Sequence, residues 1–263
     1  MAQPLDLPDG GRMTNNNKGM EMSTLSPLFE EWVQSYDGEH PLVDLGCAFG
    51  RNVSAAATRL ATLAETQATT RVLAYDCDDS HLAYTRENSP PGVETAFAMA
   101  PDSLPKVKAS GILIGEVLHF VDGDGIDATL SWARDALVPG GALCVTVGTA
   151  FVNFLPDANG NCPIQAAAQK TWEANAGAEW PGSQGINHQE IMASTSLDEQ
   201  LCGMPNKQLP TYYHPIAAKD LARACERAGL EVVLAREQFH PGWPSACPYD
   251  GRENAQVVAR KKN

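Results

Sequence analysis

The chain has 263 residues, enough to bury a sizeable core within one large α/β domain. A hydrophobic share of 43% with 19% charged residues excludes an intrinsically disordered chain. The formal charge of -13, from 32 acidic residues against 19 Lys and Arg, argues against a nucleic-acid binder or an anionic membrane surface, since either needs a basic face. The one basic cluster is Arg260-Lys261-Lys262.

Residues 1 to about 20 are polar, rich in Gly, Asn and Pro, and carry neither the basic start nor the apolar centre of a signal peptide. Seven cysteines are scattered without a CxxC pair or a metal-ligand spacing with His, so reduced thiols, a cytoplasmic setting and no metal site are expected. Ser23 to Pro27 supplies an N-cap with proline just inside a helix start, and that helix, Pro27 to Tyr36, sets Leu28, Phe29, Trp32 and Val33 on one side. The helix serves as a cover for the sheet edge or as a flap over a ligand, with Met20 and Met22 as contacts in the second case. Residues 1–40 are accordingly set apart as an N-terminal flap and helix.

The stretch from Leu42 to Val53 organises the rest of the chain. Leu42, Val43 and Leu45 read as the end of a buried strand, and Arg51 to Glu65 places Val53, Ala57, Leu60 and Ala64 at helix-face spacing. Between strand and helix, Gly46 and Gly50 permit a tight turn and close approach of the backbone to a ligand. A strand, a glycine turn and the amino end of a helix with free N–H groups form a nucleotide site.

A second strand, Arg71 to Asp76, ends in an acid placed to accept hydrogen bonds from two ribose hydroxyls. Asp78-Asp79-Ser80 caps a helix from about His81 to Glu87. Val93 to Ala98 is a third strand. The apolar run Gly111 to Gly115 is a buried parallel strand that delivers Glu116, Leu118 and His119 to its carboxyl edge. A helix from Ile126 to Leu137 is stopped by Pro139-Gly140-Gly141, and Ala142 to Val147 is the fifth strand. Strands alternating with helices at this pace specify a doubly wound, mostly parallel sheet.

From about Gly148 to Tyr213 the periodicity weakens, with Ile164 to Asn175 the clearest helical stretch. So long a segment is expected to be an inserted substrate lid, set at 149–214 within a core of 41–263. A helix from Pro215 to Arg227, ended by Gly229, leads to strands Leu230 to Ala235 and Ala255 to Arg260.

These motifs together resemble the class I S-adenosylmethionine-dependent methyltransferases. Val43 to Gly50 is similar to the family's D/E-x-G-x-x-x-G loop around the methionine part. Asp76 matches the ribose-binding acid, Glu116 to Phe120 the segment after the fourth strand, and Leu137 to Gly141 the turn before the fifth. The G-x-x-x-G spacing also departs from the G-x-G-x-x-G of a nicotinamide site.

The resemblance implies a Rossmann-like, seven-stranded sheet with one antiparallel strand near the C-terminus and the lid between strands 5 and 6. It also implies an enzyme binding S-adenosyl-L-methionine and releasing S-adenosyl-L-homocysteine, through Asp44, Gly46, Cys47, Gly50, Asp76, Cys77, Met99, Ala100 and Glu116. The family's acid after the third strand is missing, so Met99 is expected to pack on the adenine ring, with Asp102 as the substitute acid. The acid that opens the fourth strand is replaced by Ser110-Gly111.

Methyl transfer needs alignment, exclusion of water and removal of a proton, and His119 is the expected base. His119, Trp172, Tyr212, Tyr213 and His214 are the expected acceptor contacts. The acceptor is expected to be a small molecule methylated on N or O, with a lean to amines or cations because the insertion is rich in acids. A peptide or protein acceptor, or a module that binds the cofactor without catalysis, are the alternatives. The chain is expected to act as a monomer or homodimer.

Overall fold

The computed structural model describes residues 5–6, 10–16, 19–63, 71–152, 160–193, 209–243 and 249–263. Seven strands form one sheet: β1 (Leu42–Leu45), β2 (Val72–Asp76), β3 (Val93–Phe97), β4 (Ala109–Gly115), β5 (Leu137–Gly148), β6 (Leu230–Gln238) and β7 (Asn254–Lys261). Their order is β3-β2-β1-β4-β5-β7-β6. The first five are mutually parallel, and β7 runs antiparallel to both β5 and β6. The expected seven-stranded sheet with a single antiparallel strand is therefore present.

Alternate residues of each strand go to opposite faces, as the period of a strand requires. Val43, Leu45, Ile112, Ile114, Leu143 and Val145 pack on one face with Ile126, Leu130 and Ala133 of α4 (Gly123–Ala136) and Leu221 and Ala224 of α7 (Ala218–Arg227). Leu42, Val72, Ala74, Leu113 and Cys144 pack on the other with Trp32 of α1 (Phe29–Gln34), Val53 and Ala57 of α2 (Arg51–Leu63) and Leu82 of α3 (Asp79–Asn88). Both faces are covered, which explains why the central strands are continuous apolar runs.

Helix α1 covers the sheet, lying against β4 and β5 rather than over a ligand. Gly111 makes the room for it. A methyl group there would stand 2.1 Å from Ser35 Oγ and 3.2 Å from Trp32 Cδ1. The glycine in place of the acid that commonly opens this strand thus has a packing cause.

Local boundaries depart from expectation in three places. Helix α1 begins at Phe29, with Leu28 at the N-cap and no side-chain cap; Ser26 Oγ instead accepts from Leu28 N at 3.3 Å. Helix α4 is capped by Asp122, whose carboxylate accepts from Gly125 N at 2.9 Å, and ends at Ala136. Pro139-Gly140-Gly141 does not stop that helix but lies inside β5, where a methyl group on Gly141 would meet Ser110 O at 2.9 Å. Helix α7 starts at Ala218, three residues after Pro215.

Between β5 and α7 the chain forms α5 (Pro163–Ala174) and α6 (His188–Ala193). Ile164, Ala168, Ile186, Met192 and Tyr213 build a third apolar cluster, which also takes in Met13 from the amino-terminal segment. In that segment, Arg12–Met13 and Met20–Glu21 pair antiparallel, so residues 10–16 and 19–26 form a strap running back across the carboxyl edge of the sheet.

Gly111→Ala is expected to cost about 2–3 kcal/mol, because the added methyl must displace α1 from a packed face. Urea denaturation measures it, and a cost within a few tenths of a kcal/mol would show that α1 yields freely.

Candidate functional site

The sheet reverses its winding between β1 and β4, and in such sheets ligands bind outside the carboxyl ends of the strands at that point. A cavity opens there. Its floor is Gly46, Cys47 and Ala48 after β1, Asp76 and Cys77 after β2, and Gly115, Glu116 and Val117 after β4. Ala98, Met99 and Ala100 form one side, and the strap residues Thr14, Met20, Glu21 and Met22 close the top with His240.

Four residues in the loops at this edge have a positive φ: Gly46 at 87°, Ala48 at 46°, Gly50 at 83° and Glu116 at 57°. Backbone strain in a non-glycine residue persists only where the surroundings enforce it. For Ala48 the enforcing contact is Asp76, whose Oδ2 accepts from Ala48 N at 2.9 Å. The two glycines are needed for internal packing as well as for the turn. A methyl group on Gly46 would stand 2.2 Å from Val117 Cγ2, and one on Gly50 would stand 2.6 Å from Thr85 Cγ2.

Asp76 is buried, and its other oxygen accepts from Asp78 N at 3.0 Å and faces His81 Nδ1 at 3.1 Å. The amino end of α2 is less open than the sequence implies, because Arg51 N donates to Glu21 Oε1 at 3.2 Å. Glu21 Oε2 accepts no hydrogen bond, though the Arg51 and Arg12 guanidinium groups stand 3.6 and 4.0 Å from it. Burial lifts the Glu21 carboxyl above its ordinary range, with the two arginines opposing.

Glu116 occupies the end of β4. Its Oε1 accepts from Asn254 Nδ2 at 2.7 Å, while Oε2 is buried without a hydrogen bond, 3.7 Å from His119 Nδ1. Burial pushes its carboxyl up to about 7. Asp44 lies behind the glycine loop, 1% exposed and outside the cavity wall. Its carboxyl is pushed up to about 8, first by burial and then by the charges of Asp76 and Glu21, with the Asn52 side chain opposing.

Of the residues expected to bind a cofactor, Gly46, Cys47, Asp76, Cys77, Met99, Ala100 and Glu116 line this one cavity, and Met20 and Met22 join them. Asp44 and Gly50 do not line it, and neither does Asp102. The expected acceptor residues lie elsewhere. His119 is buried beneath the wall, its Nδ1 accepting from Gly148 N at 3.2 Å, so it does not face the cavity as a base must. Tyr213 is sandwiched between His119 and His188 at ring distances of 5.0 and 4.7 Å. His214 donates its backbone N–H to His119 O at 2.7 Å, and burial holds its imidazole down near 4.

Tyr212 donates to Ser183 O at 2.8 Å, and Trp172 to Asp220 Oδ2 at 3.4 Å. These residues assemble the insertion and fix it to the turn after β4 and to α7. Among the described residues, none from 149–214 lines the cavity. Phe151, at the start of the insertion, packs beneath the Arg252 guanidinium at 3.9 Å.

Sequence reasoning missed Glu21, His81 and Asn254. Each is a single polar residue within an otherwise unremarked stretch, and only the fold brings it to the cavity or its shell. The described residues hold no cluster suited to a metal ion and no helix long and apolar enough to cross a membrane.

The architecture is the Rossmann-like fold of S-adenosylmethionine-dependent methyltransferases. A methyltransferase of this kind from Mesorhizobium loti superposes with a TM-score of 0.52 at 18% identity, over 83% of this chain and 90% of that one. Another from Methanosarcina mazei gives a TM-score of 0.55 at 12% identity, over 90% and 97%. No family model and no curated protein matches the sequence.

The buried Asp44 supplies a pH test. Its folded pKa is raised above that of an unfolded aspartate, so the folded state keeps a proton that the unfolded state has lost, and stability falls as pH rises between about 4 and about 8. Asp44→Asn is expected to remove this contribution. Its melting temperature should exceed the wild type's by a few degrees at about pH 9, with the gap closing toward about pH 4. A gap independent of pH would mean that Asp44 is ionised in the folded protein throughout.

Proposed function

We propose that the protein is a methyltransferase that binds S-adenosylmethionine in the cavity at the ends of β1, β2 and β4 and methylates a small-molecule acceptor. The observation that supports this best is the chemistry of the cavity wall. Asp76 stands at the end of β2, hydrogen-bonded to the glycine loop, where a carboxylate can accept from ribose hydroxyls. Glu21 Oε2 and Arg51 Nε, one anionic and one cationic, are buried near the cavity without hydrogen bonds. A ligand with hydroxyl, ammonium and carboxylate groups supplies the hydrogen bonds that these atoms lack. Met99, with 40% of its surface exposed, offers an apolar face for the adenine.

When bound, the cofactor supplies an electrophilic methyl group on a sulfonium. The chain's residues orient it and shield it from water, with the strap as the cover. Glu116 suits the task of proton acceptor better than His119 does, because it lines the cavity and titrates near neutrality. Asn254 holds Glu116 from behind through its side-chain amide. The carboxylates Glu21, Asp76 and Glu116 lining the cavity favour an amine or cationic acceptor over an anionic one. Residues 149–214 stand as the acceptor-side insertion, packed against the strap through Met13. The acceptor is a metabolite, and a peptide acceptor is the second reading.

Asp76→Asn is expected to weaken S-adenosylhomocysteine binding by about 10–100-fold, because a charged acceptor of ribose hydrogen bonds is lost. Isothermal calorimetry reads it, and unchanged affinity would remove the ribose assignment. Glu116→Gln is expected to keep that affinity within about threefold while slowing transfer from labelled cofactor into a metabolite extract at least about 100-fold. Full transfer by this variant would remove Glu116 as the base.

A further inference from the structure

The imidazole of His81 joins the cavity to the strap. It is fully buried in α3, edge-on to Phe49 at 4.7 Å. One ring nitrogen, Nδ1, stands 3.1 Å from Asp76 Oδ1. The other, Nε2, accepts the backbone N–H of Asn15 in the strap at 3.0 Å. An amide N–H can only donate, so Nε2 carries the lone pair and the ring proton sits on Nδ1, directed at Asp76. The side chain of Asn15 adds a second tie, donating to Ser80 Oγ at 2.9 Å.

We propose that His81 is a positioning residue that couples strap closure to the aim of Asp76. With the strap in place, Asn15 fixes the ring and its tautomer, and the ring holds Asp76 pointing into the cavity. With the strap released, Nε2 loses its donor, and the ring, no longer fixed from that side, is free to turn, which withdraws the N–H from Asp76. Two equilibria joined through one ring are linked reciprocally. Whatever engages Asp76 favours the closed strap, and an open strap weakens whatever binds at Asp76. This inference rests on the proposed cofactor reading for the ligand at Asp76, whereas the latch itself is a property of the free protein.

The experiment therefore has arms without and with ligand. In the free protein labelled with 15N-histidine, His81 is expected to show an unprotonated Nε2 and a protonated Nδ1, with His81→Phe used for assignment. Tryptic cleavage after Arg12, followed by mass spectrometry, reads strap opening. It is expected to quicken about tenfold in His81→Phe, as loss of a buried hydrogen bond predicts. Asn15→Pro, which deletes the donating N–H together with the side-chain tie to Ser80, is expected to do the same and to shift the His81 Nε2 resonance.

With S-adenosylhomocysteine as the probe, the ligand should slow cleavage of the wild type and bind about tenfold more weakly to Asn15→Pro. A His81 proton on Nε2 in the wild type, or cleavage rates unchanged in both variants, would overturn the latch. A latch that behaves as described in a wild type that binds no S-adenosylhomocysteine would instead overturn the cofactor reading. Binding without protection of the strap would overturn the coupling alone.

Discussion

The site depends on how one buried carboxylate is held. Asp76 accepts from Ala48 N across the glycine loop, from Asp78 N at the start of the next helix, and stands against His81. A buried carboxylate without such donors would take up a proton or destabilise the fold. The bonds also act in reverse. They hold Ala48 at a positive φ, keep the loop after β1 curled toward β2, and anchor the histidine that reaches the strap. The floor, one wall and the cover of the cavity thus share a single anionic centre.

Around that centre the other carboxylates differ in a useful way. Asp44 and Glu116 are buried with few donors, and both are pushed toward or past neutrality. Glu21 is half-compensated by Arg51 N and two guanidinium groups. A wall of several acids stays compatible with folding because the least solvated of them can hold a proton. A cation entering the cavity would favour the ionised forms again. The overall acidity of the chain, which in the sequence reads as surface charge, thus has a buried component concentrated at the sheet's carboxyl edge.

Most of the sheet was legible in the sequence because its signals are local. Apolar runs such as Ile112 to Ile114 and the alternation of strand and helix carry their own period, and Asp76 sits at a fixed place in a strand-turn-helix unit. The comparatively poor legibility of the cover has a physical reason. Asn15 meets His81 and Ser80, Glu21 meets Arg51, and Ser23 meets Gly242. None of these pairs is local, and a polar segment that docks by scattered hydrogen bonds leaves no periodic trace. The direction of the His119 ring was not legible for a related reason. Its position at the end of β4 was readable, but the short 3-10 turn from Leu118 to Phe120 swings the ring under the sheet edge toward Gly148.

That displacement clarifies what the insertion contributes. His119, Tyr213 and His188 stack in a buried row from the end of β4 into the apolar cluster of α5 and α6. His188 is held near 3 by burial, so its ring is neutral at physiological pH, and the row serves as packing between the sheet and the insertion. Protonating it would place a charge among Ile186, Met192 and Tyr213. Glu116 lies beside the start of this row, and burial raises its carboxyl toward neutrality while the Asn254 side chain opposes the shift. The insertion thus stands behind the cavity. Its aromatic residues pack beside the end of β4, while the strap, joined to the same cluster through Met13, covers the cavity.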